Sequence, residues 1–141
     1  MNKPSDFSAE VQAAIGPLLT QLGFTLDEID DSPDEGGRER HIVYYRSNDC
    51  KIQIYKSRRE GKVNGMIAAA NASNGFGLRT KHWQDLTTFS ERPNGPVAEL
   101  LKAARAEYNS YANPVEWVRD RIAKYYNDAH RGILAKYADG Q

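Results

Sequence analysis

Histidine, cysteine and clustered carboxylates are the residues with which this chain would do chemistry, and their spacing assembles none of the familiar sites. His41, His82 and His130 fall in three different elements, and none has a second ligand at metal spacing. HExxH and paired CxxC motifs are absent, so no zinc site is expected. Two histidines meeting in space could cleave RNA by acid–base chemistry, but nothing in their placement brings them together. Cys50 has no histidine near it in sequence and reads as a small half-buried residue beside a turn. The carboxylates Asp27, Glu28, Asp30, Asp31, Asp34 and Glu35 raise the question of calcium. An EF-hand loop starting at Asp30 would put Glu35 where glycine is required at position six, and His41 where the bidentate glutamate belongs at position twelve. The stretch therefore reads as a solvated, mobile acidic loop that binds no calcium. Asn74-Gly75-Phe76-Gly77 is a lone GxG without a helix start or a Lys-Ser/Thr pair, so it is a turn and not a phosphate cradle. No nucleophile elbow is present. The expectation is a protein without catalytic residues, metal or cofactor, and so not an enzyme.

The positive signal lies in residues 40–67, RHIVYYRSNDCKIQIYKSRREGKVNGMI. A two-residue turn at Asn48-Asp49 pairs Arg46 with Lys51, Tyr44 with Gln53 and Ile42 with Tyr55. A second turn at Arg58-Arg59-Glu60-Gly61 pairs Lys56 with Val63, Ile54 with Gly65 and Ile52 with Ile67. Directly paired residues share a face. One face thus collects Val43, Tyr45, Ile52, Ile54, Val63 and Ile67 as core, where Ile54→Ala should cost about 2–4 kcal/mol. The other carries Ile42, Tyr44, Arg46, Lys51, Gln53, Tyr55, Asn64 and Met66. Tyrosine with cationic and amide side chains is what a surface uses to hold a partner. On that reading Tyr44, Arg46, Lys51, Gln53 and Tyr55 are solvent-facing and bind a partner, and Gln53→Ala should cost under about 0.5 kcal/mol. The bland alternatives are a face filled by β-propensity alone, or one buried under a helix. Trp117 is the second signal. It falls about 140° from the centre of its helix's apolar stripe, beside Arg121, Lys124 and Asp128, where it would anchor a partner or pack locally on the preceding helix.

The elements that position these residues are legible in most of the chain. Phe7, Val11, Ile15, Leu18, Leu19 and Leu22 recur at helical steps, with Pro17 expected to kink or split the helix and Gly23 to stop it. Residues 24–29 alternate as a short strand, and 30–38 form a loop. Residues 68–95 are the least regular: a small, turn-rich run, then Trp83, Leu86 and Phe89 at three-residue steps that fit a short helix or an irregular strand pair, then a turn at Arg92-Pro93-Asn94-Gly95. A second helix begins at Pro96 with Val97, Leu100, Leu101, Ala104, Tyr108 and Tyr111 on its stripe. Asn113-Pro114-Val115-Glu116 is a start signal for a third, which should run to about Tyr137 and be weakened by Gly132. The fold expected is α+β in a single domain over 1–141: an N-terminal helix, an antiparallel meander of about four strands, and two C-terminal helices packed on one sheet face.

At 141 residues the chain can bury about two-thirds of its unfolded surface in one domain. No apolar run approaches the roughly 20 residues that span a bilayer, so no membrane partner is expected. MNKPSDFSAE lacks a basic region followed by an apolar core, and a single cysteine precludes an internal disulfide; both fit the cytoplasm. Formal charge is zero, but residues 1–37 hold one lysine against eight carboxylates, and residues 38–62 hold eight Lys/Arg against three Asp/Glu. The balance argues against strong non-specific nucleic-acid binding, and the segregation would let the acidic loop lie along the basic strands.

A helix ending in Leu22-Gly23-Phe24, an acidic glycine-containing loop, and strands reading VYYRSNDCKIQIYKSRREGKV resemble, over about a third of the chain, small bacterial cytoplasmic proteins of the kind that act as immunity proteins of polymorphic toxin systems. The resemblance implies a protein that neutralises a toxin by surface complementarity, with no catalytic residues to carry over. The sequence thus points to a non-enzymatic protein-binding module, with nucleic-acid binding through stacking on Tyr44 and Tyr55 as the alternative.

Overall fold

The computed structural model describes residues 6–58, 61–75, 82–91 and 94–136. It is an α+β fold whose five strands form one antiparallel sheet in sequence order: β1 (Thr25–Asp30), β2 (Arg40–Arg46), β3 (Cys50–Ser57), β4 (Lys62–Ala69) and the two-residue β5 (Gln84–Asp85). The expected register holds pair for pair, with Tyr44 opposite Gln53, Ile42 opposite Tyr55, Ile54 opposite Gly65 and Ile52 opposite Ile67. The strand count rises from about four to five because Gln84-Asp85 adds beside Met66 and Ile67. Parts of the expected turns at 58–61 and 92–95, the end of the GxG run and Tyr137 lie outside the described residues.

Helices cover one face of the sheet. The N-terminal apolar run is split, as Pro17 dictates, into α1 (Asp6–Ala14) and α2 (Gly16–Gln21). A proline nitrogen has no hydrogen to bond the preceding turn, so the helix restarts with Pro17 in its first turn. Gly23, at φ +93°, then reverses the chain into β1. The long helix α4 (Pro114–Lys136) is capped by Asn113, whose Oδ1 accepts the Val115 N–H at 3.0 Å. It lies across β4 and β3, packing Val115, Val118, Ile122, Ala129 and Ile133 onto Val43, Ile52, Ile54, Val63 and Ile67. Gly65 makes this approach possible: a Cβ there would sit 3.3 Å from Val118 Cγ1 and 3.2 Å from Leu86 Cδ1. Helix α3 (Val97–Asn109) has no buried residue. It leans on α4 and reaches the sheet through Tyr108, whose hydroxyl accepts the Val63 N–H at 3.1 Å.

The acidic loop after β1 is bonded to β2 and to itself. Asp31 bonds His41 Nδ1 at 2.8 Å and Asp30 pairs with Arg40 at 3.6 Å, so the acidic stretch does lie along β2. Asp34 Oδ1 accepts the N–H groups of Gly36 and Arg38 at 2.8 and 2.9 Å, closing the loop on itself.

Candidate partner-docking edge

The sheet face proposed for a partner is already occupied. The segment 70–75 and the Trp83 side chain lie over it, so Tyr44 and Tyr55 are 1% and 4% exposed, and Lys51 and Gln53 are 6% and 0% exposed. Ile42, Tyr44, Tyr55 and Ala68 form a second apolar cluster with Ala72 and Trp83, and the Tyr44 and Trp83 rings lie 5.9 Å apart. The polar residues among them are explained by what lies on top. An irregular segment over a sheet brings carbonyl groups that no ladder satisfies. Lys51 Nζ donates to Ala72 O at 2.8 Å and to Asn74 Oδ1 at 2.9 Å; Gln53 Nε2 donates to Gly75 O at 3.0 Å; Trp83 Nε1 donates to Ser73 O at 3.0 Å. The expectation of a solvent-facing tyrosine surface is therefore corrected. Only Arg46, of those five residues, remains exposed.

Of the two readings of Trp117, the structure shows the local one, packing on the preceding helix, and an exposed partner anchor is corrected. Its indole is 6% exposed, meets the Tyr108 ring edge-on at 4.7 Å and lies under the Arg121 guanidinium at 4.5 Å. It is the peg on which α3 hangs. The geometric centre of α4's stripe misplaced it because α3 supplies a second buried side to the helix. The histidines stay apart: His41 bonds Asp31 and Glu39, and His130 bonds Asp49.

What remains open is the β1 edge. Its inner side pairs with β2, and among the described residues no strand pairs with its outer side. Leu26 and Ile29, 44% and 40% exposed, stand on the helix-side face opposite Tyr45 and Val43, beyond the reach of α1 and α2. Beside Leu26 runs an apolar-floored groove of about 450 Å³ lined by Gly16, Pro17, Thr20, Phe24 and Tyr45. The register skips a residue between Leu26 and Glu28, a bulge that turns Asp27 and Glu28 to the other face together. There Asn74 Nδ2 donates to Asp27 Oδ2 at 3.0 Å and to Glu28 Oε1 at 2.7 Å. A recess of about 300 Å³ on this side is lined by Glu28, Asp30, Asp34, Glu35, Arg40 and Tyr44. The free edge thus has an apolar groove on one face and an acidic recess on the other. The alternation in residues 24–29 located this strand in the sequence, but not that its apolar residues would lack a cover.

Comparison with protein-family models, curated proteins and solved structures finds no match. No helix among the described residues is long and apolar enough to cross a membrane.

Proposed function

We propose that the protein is a non-enzymatic cytoplasmic binding module, immunity-like in its mode of action, that docks an extended basic segment of a partner protein along β1. The open edge of β1 carries this reading. An added strand would find a row of backbone hydrogen-bond groups, and its side chains would alternate between the two faces. Apolar side chains would meet Leu26, Ile29 and the groove; cationic ones would meet Asp30 and the acidic recess. Carboxylates and a bulge also deter indiscriminate strand pairing, so the edge selects for basic partners. A second copy of the chain is a poor occupant, because its own β1 would bring Asp27, Glu28 and Asp30 against the same carboxylates. The nucleic-acid alternative loses its stacking platform, since Tyr44 and Tyr55 are inside.

The test uses eight-residue peptides of alternating valine and lysine, with alternating valine and glutamate as control, titrated into the protein and followed by amide chemical shifts. The expected result is saturable binding of the basic peptide, with shifts concentrated at Thr25–Asp30, weakening with salt and abolished by Leu26→Lys. Shifts elsewhere, or equal binding of the acidic peptide, would overturn it. Co-expression with the product of the adjoining reading frame then asks whether that partner is a toxin.

A further inference from the structure

The turn between β2 and β3 meets α4 at a group of side chains that the docking edge does not use. Asp49 Oδ2 and His130 Nε2 are 3.0 Å apart, and Cys50 Sγ lies within 4.8 Å of a carboxylate oxygen of the one and a ring nitrogen of the other. It is the one group of three metal-capable residues found among the described residues. We propose that Asp49, Cys50 and His130 bind a divalent transition ion of borderline softness, for which Zn2+ suits the donor set.

Thiolate, imidazole and carboxylate together are zinc donors, and three protein ligands with one open position are a recurrent zinc arrangement. A tetrahedral zinc spaces its ligand atoms about 3.2–3.6 Å apart. The carboxylate and imidazole already stand near that separation, and the sulfur closes the rest by small side-chain rotations of its two partners. The His130 and Asp49 side chains are partly open to solvent, while Cys50 is buried. The supporting contacts orient the ligands in the way outer-shell groups do. Ser47 Oγ donates to Asp49 Oδ1 at 3.1 Å, leaving Oδ2 aimed at His130. The Tyr126 ring stacks on the His130 ring at 5.1 Å with the planes 14° apart.

Binding forms Zn–S, Zn–N and Zn–O bonds and takes the place of protons. The thiol proton leaves to solvent. The hydrogen between Nε2 and Oδ2 is lost to solvent from an imidazolium, or from a neutral ring moves to Nδ1. No electron changes hands. The ion would pin residues 81 positions apart in sequence, holding the β2–β3 hairpin to α4.

The experiment titrates Co2+ and Zn2+ into the untagged, reduced full chain. One equivalent of Co2+ should give a thiolate-to-cobalt charge-transfer band and tetrahedral visible bands, discharged by Zn2+. Zinc should raise the melting temperature, release at least one proton per ion across buffers of different ionisation enthalpy, and bind at least about tenfold more weakly to Asp49→Asn and to His130→Gln. Cys50→Ser should remove the charge-transfer band. If that buried substitution prevents folding, the wild-type band and the two surface variants still decide. Absence of the band at saturating Co2+, or undiminished zinc affinity in His130→Gln, overturns the proposal.

Discussion

At the scale of single residues, the side chains that look most like a partner surface are holding the chain to itself. Tyr44 buries its ring against Trp83, and Lys51 and Gln53 each satisfy a carbonyl of the covering segment. Tyr44→Ala should therefore cost about 3–5 kcal/mol in urea denaturation, as large aromatic truncations do. Gln53→Ala should cost about 1–3 kcal/mol, well above the value expected of an exposed position, because it strands the Gly75 carbonyl. Arg46→Ala, on the exposed end of the same face, should stay within about 0.5 kcal/mol. A neutral Tyr44→Ala would mean that the cover is not part of the folded core. The register of this hairpin was legible because alternation and turn spacing are local properties. The burial of its outer face was not, since a mixture of tyrosine, lysine and glutamine suits a wet interface and a loop-covered sheet equally well. What distinguishes them is the non-local return of Trp83, which its three-residue spacing to Leu86 and Phe89 does not announce.

Among the elements, α4 shows how a local penalty is repaid by packing. Gly132 weakens a helix by about 1 kcal/mol relative to alanine. Here a Cβ at that position would drive into the Phe89 ring. Gly132→Ala should thus lower stability by about 1–2 kcal/mol despite its better propensity. Full stabilisation by Gly132→Ala, measured by chemical denaturation, would show that Phe89 does not sit there. The loop after β1 makes the complementary point. Asp30, Asp31 and Asp34 spend their oxygens on Arg40, His41 and the loop's own N–H groups. Calorimetry with calcium should accordingly record no saturable heat; a stoichiometric micromolar site would overturn this.

Across the whole molecule, the segregated charge of the sequence becomes a contact between the acidic loop and β2, and that contact should respond to pH. Burial opposes a charge on His41, but hydrogen bonds and charges from Glu39 and Asp31 outweigh it and hold its pKa above the ordinary value. A raised pKa in the folded state means that the imidazolium's contribution is complete below the unfolded value and fades as pH rises through the folded one. The melting-temperature gap between the wild type and His41→Gln should hence be widest near about pH 6 and shrink toward about pH 8.5. A gap that grows with pH would reverse the assignment. The order of the sheet carries one more consequence, for how the protein is made. Strands β1 to β4 each pair with their neighbour in sequence across short connections, so of the ladder only β5, which follows the segment 70–83, waits for a longer loop to close. The late events are the ones that join distant segments, the return of Trp83 over the tyrosines and the docking of α4 on β4. β3 sits at the middle of the sheet with both faces covered, so its amides should be the last to exchange with deuterium, opening only when the whole chain does. β1, paired on one side alone among the described residues, should exchange early, before β2 gives way.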